Sequence, residues 1–80
     1  MDFIHYSFKH YSHADACRND LVAAGFNTCI MECADDDGRT VHSVHAYFKD
    51  YDDFEKIKAI ARPHDLAEIA RNKPTPSRVW

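Results

Sequence analysis

The stretch Phe26–Lys49, FNTCIMECADDDGRTVHSVHAYFK, decides the fold. Two runs rich in β-branched, aromatic and sulfur-containing residues flank the segment ADDDGR at positions 34–39. A glycine that follows a run of aspartates supplies the positive φ that a tight turn between two strands requires. We therefore predict a β-hairpin here, and we expect its two strands to form the centre of the sheet.

The residues before the hairpin predict one strand and one helix. Residues 3–11 alternate between apolar and polar side chains, as a half-buried strand does. Ser12 and Asp15 have the spacing of a capping box, which predicts a helix over roughly 13–24. Gly25 is placed to end that helix in the left-handed conformation.

The residues after the hairpin predict further helix. Asp50 is expected to cap a second helix, and Pro63 to stop or kink it, because proline lacks the amide hydrogen that a helix interior uses. A short third helix over 66–71 is then expected. Its apolar residues should cover one edge of the core: Leu66, Ile69 and Ala70.

The order of elements is thus β-α-β-β-α, followed by a short helix. A right-handed crossover makes the first two strands parallel, so the third can lie between them in an antiparallel sheet of order 2-3-1. We predict an α+β two-layer sandwich with both helices on one face, which looks like a ferredoxin-like fold without its last strand. Residues 1–72 form this single domain, and 73–80 a Pro-containing C-terminal tail. The uncovered face should expose several side chains: His5, Cys29, Met31, His45 and Tyr47.

Charge is distributed unevenly along the 80 residues, whose net charge is −3. Residues 1–55 carry eleven acidic residues against four basic ones, whereas residues 56–80 carry six basic residues against two acidic ones. Binding to nucleic acid requires clustered Lys and Arg, so the acidic body disfavours direct contact of the domain with nucleic acid.

Three features bear on where the protein resides. No apolar run approaches the roughly 18–20 residues of a transmembrane helix. The first ten residues lack the basic-then-apolar pattern of a secretion signal, and an odd count of three cysteines favours reduced thiols. We expect no membrane association and a cytoplasmic protein.

Four residues have the types found in zinc sites, but their spacing is unsuitable: Cys29, Cys33, His42 and His45. On one strand, Cys29 and Cys33 would lie about 13 Å apart at roughly 3.3 Å per residue, whereas zinc binds a thiolate at roughly 2.3 Å. His42 and His45 would face opposite sides of the sheet. We expect no metal and no other cofactor, and keep these four as candidates for an alternative Cys/His metal-binding module.

No pattern in the chain indicates catalysis. With only Gly25 and Gly38, the sequence contains neither a phosphate-binding loop nor a Gly-rich oxyanion loop. Cys17 lies on the apolar stripe of a helix, where nothing lowers a thiol pKa. We therefore expect a protein that is not an enzyme.

A binding surface for another macromolecule is the better hypothesis. Carboxylates cluster in the hairpin turn and at the start of the second helix, and such arrays are suited to docking on a basic groove. Exposed tyrosines would add anchors. The predicted partner-binding residues are Glu32, Asp35, Asp36, Asp37, Asp50, Asp52, Asp53, Glu55, Tyr47 and Tyr51.

In its size, acidity and lack of motifs, the whole chain resembles small phage-encoded inhibitors, of which anti-CRISPR proteins are the best-known group. The resemblance implies a monomer or weak homodimer in the host cytoplasm that binds the basic nucleic-acid-binding surface of an effector complex and blocks DNA recognition. The layout of strand, helix ending in AAGF, acidic hairpin and strand is also similar to bacterial ribonuclease-regulator domains. That second resemblance implies a protein-binding inhibitor with a different partner.

Overall fold

A computed structural model describes residues 2–72 of the chain. The tail predicted over 73–80 lies outside the described residues. In chain order, the elements are β1 (Asp2–Phe8), α1 (Tyr11–Ala23), β2 (Thr28–Ala34), β3 (Thr40–Phe48) and α2 (Tyr51–Asn72).

The described strands form one antiparallel sheet in the order β1-β3-β2. In the register of the sheet, His5 of β1 and Cys29 of β2 both pair with His45 of β3. The central strand is thus the second arm of the hairpin, and the predicted β-α-β-β-α two-layer architecture is confirmed. The turn of the hairpin is closed by Gly38 at φ +78°, as the sequence predicted.

The core lies between one face of the sheet and the two helices. Phe8, Val44 and Ala46 share this face and are fully buried. Their buried partners on the helices are Ala14, Cys17, Leu21, Ile57 and Ala61. Both helices therefore cover the same face, and within residues 2–72 no element covers the other.

The predicted end of β1 and the predicted start of α1 were both wrong. β1 ends at Phe8 and not at Tyr11, because the amide of Lys9 leaves the sheet and donates to the carboxylate of Glu68 at 3.1 Å. α1 then begins at Tyr11 after His10, whose side chain makes no capping hydrogen bond. The predicted capping box of Ser12 and Asp15 does not form. Asp15 instead accepts hydrogen bonds from two residues of the same helix, Arg18 and Asn19.

The predicted interruption at Pro63 was also wrong, since α2 runs unbroken from Tyr51 to Asn72. Pro63 and Ala59, whose carbonyl loses its helical donor, are both exposed, so water can hydrate that carbonyl. A tertiary contact holds the helix beyond this point: the Nε2 atom of His64 lies 2.6 Å from the carboxylate of Asp20 on α1. The contact offsets part of the cost of the proline.

Continuity of α2 changes which residues face inward. Ile57, Ala61 and Glu68 keep the spacing of one helical stripe and are all buried. Leu66 and Ile69, predicted to cover the core, are instead 51% and 55% exposed, and Ala70 is exposed as well.

Glu68 is the one buried carboxylate among the described residues, at 3% exposure. It accepts hydrogen bonds from the Lys9 amide and, at 2.5 Å, from Nδ2 of Asn72. Arg71 and His13 lie 3.6 and 3.8 Å away. Burial disfavours the charged form, but these hydrogen bonds and charges outweigh it and hold the pKa of Glu68 below its usual 4.5.

Removing core volume should destabilise this small domain strongly. Phe8→Ala and Leu21→Ala each delete a fully buried side chain, and each is expected to lower the free energy of unfolding by about 2–5 kcal/mol. Phe48 is only partly buried, so Phe48→Ala should cost less. Urea unfolding measures all three. An equal cost at Phe48 would contradict this placement of the core.

Glu68 should make stability depend on acid. Because its pKa is lowered in the folded state, its contribution is present above the unfolded pKa near 4.5 and is lost as the pH falls through the folded pKa. Urea unfolding at pH 7 and pH 3 should show a smaller acid-dependent loss for Glu68→Gln than for the wild type. Glu32→Gln, at an exposed site, is the control and should not reduce that loss.

Candidate functional site

The hairpin turn presents its carboxylates on a fixed backbone. One carboxylate oxygen of Asp35 accepts the amide hydrogens of Asp37 and Arg39, each at 2.9 Å, while the backbone of Asp35 pairs with Arg39 and Gly38. Asp35 therefore builds the turn. Asp36 and Asp37 are exposed and make no side-chain hydrogen bond within the described chain. We call Asp35, Asp36 and Asp37 the acidic turn.

The start of α2 carries the second cluster. The carboxylate of Asp50 accepts the amide of Asp53 at 2.9 Å, which confirms the predicted helix cap. Asp52 and Asp53 occupy the first turn, where negative charge favours the helix dipole. Glu55 lies 3.7 Å from Lys58, and the ring of Tyr51 is 70% exposed.

These two clusters do not meet. They lie at opposite ends of β3, whose nine residues span about 27 Å at roughly 3.3 Å per residue. Glu32 is exposed near the acidic turn, but it lies on the helix side of β2, opposite His42. Tyr47 lies on the uncovered face, half-buried. The predicted partner-binding residues therefore form two separate acidic ends.

Most of the negative charge at the two acidic ends is not compensated by salt bridges to basic residues. Over residues 2–72, the Lys and Arg side chains found in salt bridges pair with Asp15, Glu55 and Glu68. In the same part of the chain, the acidic turn and Asp50 to Asp53 have no salt-bridge partner. Their negative potential is available to an approaching molecule.

The four candidate metal ligands are not brought together. Cys29 and Cys33 lie on the uncovered face opposite His45 and Val41. His42 lies on the helix side, where its ring contacts Tyr11 edge-on at 5.5 Å. Across residues 2–72, no three side chains among His, Cys, Asp and Glu converge as metal ligands.

Cys17 is not placed to act as a nucleophile. Its thiol is fully buried in the core. Burial, together with the nearby carboxylates of Asp20 and Asp65, raises the pKa of Cys17 to about 12. The thiolate, which is the reactive form, is therefore strongly disfavoured at neutral pH.

The uncovered face carries an aromatic cluster that sequence reasoning found only in part. Partial exposure was expected for five residues of this face, of which His5 and Met31 are exposed and Cys29, His45 and Tyr47 are half-buried. The role of Phe3 was not expected. The ring of Phe3 is 49% exposed and stacks on His45, with centroids 4.9 Å apart and planes 8° apart. Phe3 also contacts Tyr47 at 5.7 Å. Its pairing with Tyr47 could have been found only once the register of β1 on β3 was known.

A groove runs along this face from the aromatic cluster to the acidic turn. Its volume is about 440 Å³, and its lining includes Phe3, His45, Ser43, Asp35 and Asp36. We call it the open-face groove. A second cleft, of about 570 Å³, lies between β1 and α2. Its charged lining combines two acids with two bases, so it has no net charge to select a ligand: Glu55, Asp65, Lys58 and Arg62.

None of the helices within residues 2–72 has the length and apolar character needed to cross a membrane.

Removing the side chain of Asp35 should destabilise the protein more than removing that of Asp36. Asp35→Ala removes the acceptor of two turn amides and should lower the free energy of unfolding by about 0.5–1.5 kcal/mol. Asp36→Ala, at an exposed site, should change it by less than about 0.5 kcal/mol. Thermal and urea unfolding test this. Equal costs would contradict the structural role assigned to Asp35.

Comparisons with protein-family models, with curated proteins and with solved structures gave no match for this chain.

Proposed function

We propose that this protein is a stoichiometric inhibitor of the anti-CRISPR type that acts by docking on the basic nucleic-acid-binding surface of an effector complex. The observation that carries the proposal is the pair of acidic ends of β3: apart from Glu55, which pairs with Lys58, their carboxylates form no salt bridge with a Lys or Arg of the described chain. A surface that binds nucleic acid is rich in Lys and Arg, and an array of carboxylates is complementary to it.

Rigidity supports this use of the carboxylates. The acidic turn is held by hydrogen bonds to Asp35, and the start of α2 by the cap at Asp50. Groups held in place before binding lose less conformational entropy on association. The backbone that carries the carboxylates is thus fixed at both ends.

The spacing also suits a protein partner. The two acidic ends are about 27 Å apart along β3, a distance that an interface of roughly 800 Å² per partner can span. Steering by exposed charges accelerates association and weakens as salt increases. The proposed inhibitor therefore competes with DNA through charge, without any catalytic step.

The test is inhibition of target-DNA binding by a purified DNA-targeting CRISPR effector complex, measured by gel shift. The isosteric variant Asp36→Asn/Asp37→Asn spares the turn-forming Asp35 and removes two free charges. It should raise the inhibitor concentration needed for half inhibition about two- to thirtyfold, from two surface ion pairs of roughly 0.2–1 kcal/mol each. The difference from the wild type should shrink as salt increases.

The matched control is Asp15→Asn/Asp65→Asn, which removes the same charge from the helices, where the hydrogen bonds of Asp15 stay within its own helix. It should inhibit like the wild type. Equal weakening by both double variants would show that net charge alone matters and would count against a defined docking surface. An absence of inhibition by the wild type at low salt would refute the CRISPR partner.

The layout of elements favours one alternative partner, a bacterial endoribonuclease, because strand, helix, acidic hairpin and strand follow one another as in ribonuclease-regulator domains. Likeness of layout is a weaker argument than a site, since one fold serves many functions. The same variants in an RNA-cleavage assay decide it. Inhibition of cleavage that is lost with Asp36→Asn/Asp37→Asn would favour this partner.

A further inference from the structure

The open-face groove owes its shape to two serines. Ser7 and Ser43 lie directly opposite each other in the middle of the face, and both line the groove. Their small side chains leave a depression between the aromatic cluster on one side and the hairpin on the other. The groove therefore has the two serines at its base, the aromatic cluster at one end and the hairpin at the other.

The groove is long enough for a short extended peptide. At one end Phe3 pairs with Tyr47, and at the other the lining reaches Val41, six residues earlier on β3. Six residues of strand span about 20 Å at roughly 3.3 Å per residue. An extended ligand of about six residues has the same length.

The two ends offer different chemistry. The aromatic end presents the stacked rings of Phe3 and His45. Burial and the neighbouring His5 lower the pKa of His45, so its ring stays neutral at pH 7 and does not repel a ligand. The other end presents the carboxylates of Asp35 and Asp36. The groove is thus aromatic at one end and anionic at the other.

We propose that the open-face groove binds an extended segment of the protein partner, with an Arg or Lys side chain at the acidic turn and an aromatic or aliphatic side chain against Phe3 and His45, about five residues apart. This inference rests on the proposed function, because it names the part of the partner that the acidic turn engages. It adds that the interface continues from the turn along the face of the sheet.

The negative charge of the groove favours a basic protein segment over a nucleic-acid strand or a second copy of the domain. A nucleic-acid strand would place phosphates beside Asp35 and Asp36, and the groove lining contains no Lys or Arg to compensate them. A second copy of the domain that docks through the same face would bring no positive charge, because the three strands contain no Lys or Arg. A basic protein segment supplies the missing positive charge.

The test uses two capped hexapeptides of opposite direction, Arg-Ser-Thr-Ser-Thr-Phe and Phe-Ser-Thr-Ser-Thr-Arg, titrated into the 80-residue protein and followed by backbone amide NMR shifts. At least one direction should shift the amides of Phe3, Ser43 and Asp36 together. Replacing either the Arg or the Phe of the peptide by Ser should weaken binding about two- to fivefold, as expected for one exposed ion pair or one aromatic contact.

Matched variants locate the site. Phe3→Ala and Asp36→Asn should each weaken the peptide about two- to fivefold. Tyr11→Ala and Asp65→Asn make comparable changes on the helices, outside the lining of the groove, and should leave binding unchanged. A single-stranded oligothymidylate should not shift these amides at all.

Several results would overturn the inference: no shift with either peptide, equal weakening by Asp36→Asn and Asp65→Asn, or shifts caused by the oligonucleotide. Its failure is distinct from failure of the proposed function. Inhibition of the effector complex that depends on Asp36 and Asp37 but not on Phe3 would leave acidic docking in place and remove the groove from the interface.

Discussion

The pairing of β3 with strands on both of its sides is the constraint on which the rest of this structure depends. The hairpin fixes β2 beside β3, and the crossover through α1 brings β1 to the other side. This pairing sets the register that buries Val44 and Ala46 under the helices. It also places the acidic turn at one end of the sheet and the start of α2 at the other, because both directly flank β3.

The core that stabilises this arrangement is small. Eight hydrophobic side chains are fully buried among the described residues, and a domain of this size is stabilised by only a few kcal/mol. Polar contacts therefore carry part of the tertiary organisation. Glu68 joins α2 to the chain just after β1 through Lys9, and His64 joins α2 to α1 through Asp20. The contacting residues are 59 and 44 positions apart in the sequence, so no local pattern predicts these contacts.

The same two-layer design makes the two faces of the sheet chemically different. The helix side is a closed apolar core. The other side keeps Phe3 and Ser7 exposed to solvent and His45 partly exposed, next to carboxylates that the hairpin turn cannot bury. A face that joins aromatic rings to free negative charge is suited to binding a basic protein surface, which links the proposed inhibitor function to the fold itself.

The elements that depend on local chemistry could be predicted from the amino-acid sequence. Gly25 and Gly38 adopt the left-handed conformation that their positions required, Asp50 caps α2, and alternation identified the faces of the strands. The sequence also located the acidic turn and the start of α2, because the aspartates of each cluster are close together along the chain. Strand order followed from the short hairpin and the handedness of the crossover.

Features that depend on contacts between distant residues became apparent only from the folded chain. The helix continues through Pro63 and buries Glu68, since Lys9 and Asp20 supply partners that local propensity does not contain. β1 ends at Phe8 for the same reason. The open-face groove likewise depends on the register that pairs Ser7 with Ser43 and Phe3 with Tyr47. The local sequence around a residue does not predict which residue it will pair with on another strand.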